Sequence, residues 1–253
     1  MDYISYSQLR MYLRCGYQYY LRYVKDIKLP PDGGLTRGSA CHNAILKSRS
    51  GKDGLLSAKI KGESWCLDQT IDAFNDSIES LKTDTEWNNE KLSYETARNT
   101  GQDAVKGYHK FAQSVEPEAV EVEGEAKLDG VLYKGYIDII TPAYNADLKF
   151  RSRKMDLSVN ELLQMGIYNM FSPKPFSMIH SVIMRKKGVE VIPLNILAEE
   201  LPVDRLKAYT EMFMKAKDNE IYLPCNPDDW GCSPDWCGYT RICPYYSGKK
   251  GSE

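Results

Sequence analysis

Apolar positions in the first part of the chain recur at helical spacing. In ISYSQLRMYLRCGYQYYLRYV, residues Leu9, Tyr12, Leu13, Tyr17, Tyr20 and Val24 fall on one face, and Ser7 is available as the N-cap. The tyrosines read as a packing face rather than a platform for stacked bases. Pro30, Pro31, Gly33 and Gly34 mark a loop, after which RGSACHNAILKS resumes the helical period. Residues 64–114 read as polar helices broken near 83–90.

The period changes at Ala119. AVEVEGEAKLDGVLYKGYIDII alternates apolar and polar residues around Asp129-Gly130, the pattern of a β-hairpin. A Pro-Ala-Tyr-Asn turn leads to a third strand over 146–150. SVNELLQMGIYNMF then opens with Ser158 and Glu161, a capping box for the next helix. Strands are predicted over 176–184 and 189–196, then a helix over about 203–219 and a cysteine-rich tail. No internal repeat or linker interrupts this order. Helix, three strands, helix, two strands, helix predicts one mixed α/β domain over 1–253. Its parts are N-terminal helices (1–50), a helical insertion (51–117), a core (118–220) and the cysteine-rich tail (221–253).

Composition narrows the function classes. The 253 residues carry a net charge of −2, so no whole-molecule positive field draws in a polyanion. Nucleic acid would have to meet local patches such as Lys149, Arg151, Arg153 and Lys154, or the run 185–187. The N-terminus has no basic segment leading into an apolar one, and no window reaches the roughly 18 apolar residues of a membrane helix. A cytosolic address is the expectation. There, seven cysteines point away from a disulfide scaffold and towards metal binding or core thiols.

The chemistry concentrates in GYIDIITPAYNADLKF. Strand alternation puts Asp147 and Lys149 on one side while Leu148 points into the core. A short antiparallel connection lets Asp138 meet Asp147 at one end of the sheet. Two carboxylates forced together repel unless a cation lies between them, and a hard divalent ion, Mg²⁺ or Mn²⁺, suits oxygen ligands. The alternative is a plain salt bridge between Asp147 and Lys149.

This stretch resembles the signature of the PD-(D/E)XK nuclease superfamily: an acidic residue, a spacer and (D/E)-x-K on a hairpin. SYSQLRMYLRCGYQYYLRYV looks like the opening helix of its RecB-like members. Gly38 to His42 resembles their Gly-x-x-x-His element, and Gln164 with Tyr168 their Gln-x-x-x-Tyr. The resemblance implies a restriction-endonuclease-like α/β core, a central mixed sheet flanked by helices. It implies His42, Asp138, Asp147 and the Leu148 carbonyl as metal ligands and Lys149 as the catalytic lysine. Gln164 and Tyr168 would position the lysine or the DNA backbone. Glu125 is an outer candidate, and His109 and His180 are structural.

Cys225, Cys232, Cys237 and Cys243 crowd a Pro-, Gly- and Asp-rich tail where apolar burial does not explain cysteine. Spacing alone allows a four-cysteine zinc site using Cys225. The family resemblance implies instead a 4Fe-4S cluster on Cys15, Cys232, Cys237 and Cys243, with Cys225 able to replace Cys232. Such a cluster would staple the two chain ends, while Cys41 and Cys66 would be packed thiols.

The resemblance therefore implies a metal-dependent DNA exonuclease of phage or bacterial recombination, repair or DNA degradation. With no Walker-type phosphate loop in the chain, an unwinding partner would be separate. Two other readings stand beside it: a non-catalytic nucleic-acid-binding or scaffold protein on the same fold, and a structure-specific endonuclease.

Overall fold

A computed structural model describes residues 3–47, 51–88, 90–185 and 187–246. The chain forms two compact units, one from residues 1–29, 126–134 and 202–253, the other from 30–125 and 135–201. Among the described residues no helix is long and apolar enough to cross a membrane.

The first unit begins with helix α1 (Tyr6–Arg14). Its N-cap is Ser5, not Ser7: the extended backbone of Ser5 lets its hydroxyl accept the Gln8 N–H at 3.3 Å, whereas Ser7 already lies within the first turn. The helix also does not run through. Cys15 is extended, and the chain restarts as α2 (Gly16–Tyr19), continued by a π-turn over Tyr20–Val24. That break shifts the helical register. Tyr19 and Leu21 are buried, while Val24, on the packed face of an unbroken helix, is 48% exposed. The tyrosines do pack: Tyr12 and Tyr19 meet Phe213 of helix α8 (Val203–Asp218) edge-on, each at 5.1 Å. The Tyr133 hydroxyl, at a hairpin tip, lies 2.6 Å from that of Thr210 on the same helix.

The second unit holds helices α3 (Gly33–Ile45), α4 (Leu55–Ile60), α5 (Leu67–Ser80), α6 (Tyr94–Phe111) and α7 (Val159–Phe171). Strands β1 (Ala119–Leu128), β2 (Val131–Ile140), β3 (Tyr144–Arg151), β4 (Phe176–Arg185) and β5 (Gly188–Leu197) form one sheet in sequence order. The β1–β2 turn is Asp129-Gly130, both at positive φ, as a two-residue hairpin loop requires. β2 and β3 are antiparallel, β3 and β4 parallel, β4 and β5 antiparallel. The parallel pair needs a crossover, which α7 supplies after its Ser158–Glu161 capping box. β3 starts earlier than its apolar run suggests, because Thr141 closes the turn: its Oγ1 accepts the Tyr144 N–H at 2.9 Å.

Alternation on β3 divides the sheet's surroundings. Ala146 and Leu148, with Val182 of β4, face a core closed by Ile45, Phe74, Ile78, Val105 and Tyr108 of α3, α5 and α6. Here α5 and α6 approach so closely that a Cβ on Gly101 would lie 2.2 Å from the Phe74 ring. The other face packs Ile137 and Ile179 against Met165 and Tyr168 of α7. Asp147 and Lys149 therefore emerge under α7.

Candidate active site and cysteine pocket

The site starts where the β2–β3 ladder stops. Ile139 pairs with Ala146 and Ile140 with Asn145, so one step further Asp138 stands across from Asp147. There Asp138 Oδ2 accepts the Leu148 N–H at 2.8 Å, doing with a side chain what a main-chain carbonyl does elsewhere in a ladder. Both carboxylates are buried, Asp147 to 1% exposure.

A polar network from α7 holds them. Lys149 Nζ donates to Asp147 Oδ1 at 3.0 Å and to Gln164 Oε1 at 3.1 Å. Gln164 Nε2 donates to Asp147 Oδ1 at 2.7 Å and to the Tyr168 hydroxyl at 3.0 Å. The Tyr168 hydroxyl reaches both Asp138 and Asp147 at 3.5 Å. Burial pushes the Asp147 carboxyl up to about 6; Lys149 pulls it down and Asp138 pushes it up again. Burial also raises Tyr168 well above the ordinary phenol range, which keeps it a donor. The i, i+4 spacing of Gln164 and Tyr168 on α7 is what lets both reach one carboxylate pair.

His42 of α3 completes the cluster. Its Nε2 lies 2.7 Å from the Leu148 carbonyl, which can only accept, so Nε2 carries a proton. Phe150 packs edge-on against the ring at 5.6 Å. The other nitrogen, Nδ1, faces Asp138 Oδ2 at 3.7 Å. With its proton on Nε2, the ring turns the Nδ1 lone pair towards that carboxylate, a pair of donor atoms one cation could bridge. Glu121 joins them: ligand atoms of His42, Glu121 and Asp138 all lie within 4.8 Å of one another. One imidazole nitrogen and two carboxylates form a donor set that fits a hard divalent cation.

Glu121, not Glu125, is the β1 glutamate at this site; Glu125 is exposed. Glu121 sits inside β1 with φ +50, a conformation that breaks strict strand alternation and costs a non-glycine residue roughly 1–3 kcal/mol. The Leu148 carbonyl faces His42 rather than standing open, and Asp147 is drawn towards Lys149 and Gln164. A cleft of about 730 Å³ opens beside the cluster, lined among others by His42, Glu121, Leu148 and Lys149.

The candidate phosphate contacts separate. Arg151 is buried and ion-paired through Nη2 to Glu161, itself part of the α7 capping box. That corrects its assignment to a nucleic-acid surface: the cation is committed inside the fold. Arg153 and Lys154 are exposed. In the run 185–187, Lys186 lies outside the described residues. His180 Nδ1 lies 2.9 Å from the Tyr108 hydroxyl and His109 Nδ1 lies 3.0 Å from that of Thr70, both away from the carboxylate pair.

In the first unit, Cys15, Cys225, Cys232, Cys237 and Cys243 line one small cavity of about 20 Å³. The extended break at Cys15 exposes its sulfur to the tail, where it accepts the Cys225 N–H at 3.3 Å. Burial first, then Cys15 and Cys232, push the Cys225 thiol up to about 12; burial also raises Cys237. Sulfurs converging on one small cavity are a donor set that fits a thiophilic metal centre, which binds the deprotonated form. Cys41 is fully buried, whereas Cys66 is not a packed thiol but an exposed N-cap of α5.

Comparison with known proteins shows the family. No curated protein matches the chain. A solved candidate exonuclease from Eubacterium rectale is 14% identical, with a TM-score of 0.60 over 91% of this chain and 87% of that one. A second structure, SSO0001, is also 14% identical, with a TM-score of 0.45 over 98% of this chain and 88% of that one. The family model described as the PD-(D/E)XK nuclease superfamily matches residues 3–244. On that match the chain belongs to the PD-(D/E)XK nuclease superfamily.

Proposed function

We propose that the protein is a metal-dependent deoxyribonuclease that degrades linear DNA from an end. The observation that carries this is the Lys149 ammonium, fixed by Asp147 and Gln164 in the same cleft as His42 and Glu121, whose ligand atoms converge with that of Asp138. A surface salt bridge needs neither a buried partner nor a helix-borne amide to aim it.

His42 through Nδ1, Glu121, Asp138 and, after a modest shift, Asp147 would hold Mg²⁺ or Mn²⁺. When bound, such an ion stabilises negative charge developing on a phosphoryl group. The chain's own residues do the rest. Lys149, turned towards the cleft, stabilises charge on the scissile phosphate. Gln164 and Tyr168 fix the lysine and keep Asp147 oriented. The Leu148 carbonyl sets the His42 tautomer. Arg153 and Lys154 supply exposed charge for the DNA backbone.

Cys15 with Cys232, Cys237 and Cys243 would hold a structural 4Fe-4S cluster, Cys225 being the alternative to Cys232 and zinc the alternative metal. The setting is DNA recombination, repair or degradation in a bacterial or phage-infected cell, with any helicase a separate partner.

Linear and covalently closed circular DNA of one sequence, incubated with Mn²⁺, test the reading. The linear form should be consumed progressively while the circle persists. Nicking or linearising of the circle at the same rate would make the enzyme an endonuclease instead.

A further inference from the structure

The cleft beside the metal-ligating cluster has an apolar wall that neither fold nor metal binding explains. Tyr136 lies on β2 two residues before Asp138, so on a strand it shares that carboxylate's side at about 7 Å along the chain. Tyr136 is 53% exposed. Leu35 is 62% exposed on the first turn of α3. With Gly38 and His42 it follows an i, i+3, i+7 pattern, and all three line the cleft. A strand and a helix each spend a large apolar side chain on solvent here.

Gly38 supplies an independent observation. A Cβ built there would meet nothing within 4 Å, so packing does not require glycine, and φ is not positive. Glycine inside a helix costs about 1 kcal/mol relative to alanine. The absent side chain leaves bare helix backbone facing the cleft. The cleft, about 730 Å³ and open to solvent on one side, has room for a nucleobase against this wall.

We infer that Tyr136, Leu35 and the bare turn at Gly38 form a subsite for one unstacked nucleobase. The Tyr136 ring is the stacking face, and the base belongs to the nucleotide next to the scissile phosphate of a single strand. This rests on the nuclease reading above and adds to it the form of DNA the cleft accepts. A blunt duplex must fray before its end can enter; a single-stranded end enters directly.

The test measures binding of a short fluorescein-labelled oligo(dT) and of a blunt hairpin duplex, with Ca²⁺ replacing Mg²⁺ so that neither is cut. Wild type should bind oligo(dT) more tightly than the duplex. Tyr136→Ala and Gly38→Leu should each weaken oligo(dT) binding about tenfold, within the range for losing one base–aromatic stack, and leave duplex binding within about twofold. Tyr136→Trp should retain the preference. Thermal denaturation should show both weakened variants folded as wild type, since neither site is filled by neighbours. Wild-type affinities in both variants, equal losses on both DNAs, or failure of Tyr136→Trp would overturn the subsite. A wild type that cuts DNA with Mn²⁺ under any of those outcomes leaves the nuclease reading intact. One that neither binds nor cuts either DNA removes both.

Discussion

Asp138 on β2 holds the backbone N–H of Leu148 on β3 at 2.8 Å, so one carboxylate both closes the hairpin and belongs to the group with His42 and Glu121 that could hold a metal ion. The two roles separate by substitution. Asp138→Asn keeps an acceptor for Leu148 but loses the charge. It should remove cleavage and leave the denaturation midpoint close to wild type. Asp138→Ala should remove cleavage and also cost about 1–3 kcal/mol, the penalty of an unpaired buried N–H. Urea unfolding beside a nuclease assay distinguishes the pair.

Gln164 touches Asp147, Lys149 and Tyr168 at once. Gln164→Leu preserves helix and bulk but releases the lysine. Catalysis should fall by about 10²-fold, as misplacement of a catalytic group does, with kcat affected more than KM. An unchanged kcat would remove Gln164 from the positioning of Lys149.

Stability should respond to two buried groups of opposite sign. Burial lowers His180 from 6.5 to about 3, so below pH 6.5 the unfolded chain takes up a proton that the fold refuses. Stability is lost from pH 6.5 down to about 3, at about 1.4 kcal/mol per pH unit. Asp147, raised from 3.8 to about 6, works the other way: the fold takes up a proton first, and stability is gained as pH falls from about 6 to 3.8. His180→Gln should therefore flatten the acid loss and expose the Asp147 gain, and Asp147→Asn should steepen the loss. Unfolding free energies of the metal-free variants from pH 7 to 4 read both slopes.

The cysteine pocket makes a compositional prediction. Protein purified without oxygen should be brown and contain iron and labile sulfide, and Cys15→Ser should lose both together with thermal stability. Cys225→Ser should keep the iron if Cys232 is the ligand. A colourless protein holding one zinc would replace the cluster assignment with a four-thiolate site.

The sequence made Asp138, Asp147 and Lys149 legible because strand alternation is strict and a short hairpin leaves few registers. Gln164 and Tyr168 stood out through their resemblance to the family's Gln-x-x-x-Tyr element, and the capping box at Ser158 put both on one helix face. Other features depend on information no local pattern holds. Glu121, Glu123 and Glu125 alternate identically in sequence; only the left-handed backbone at Glu121 selects it. Arg151 reads as one cation of a surface run until Glu161 arrives from α7 to bury it. The N-terminal face was misplaced after Cys15 because an extended residue there resets the helical register. That same break turns the Cys15 sulfur towards the tail.

The most direct measurement is digestion of end-labelled linear DNA by wild type and by Lys149→Ala, each with Mn²⁺ and with EDTA. Wild type should release label with Mn²⁺ and none with EDTA, and Lys149→Ala should bind the DNA with near wild-type affinity but leave it intact. Cleavage that survives EDTA, or a lysine variant that cuts at the wild-type rate, would contradict hydrolysis by an amine set beside a metal-ligating pair of strands.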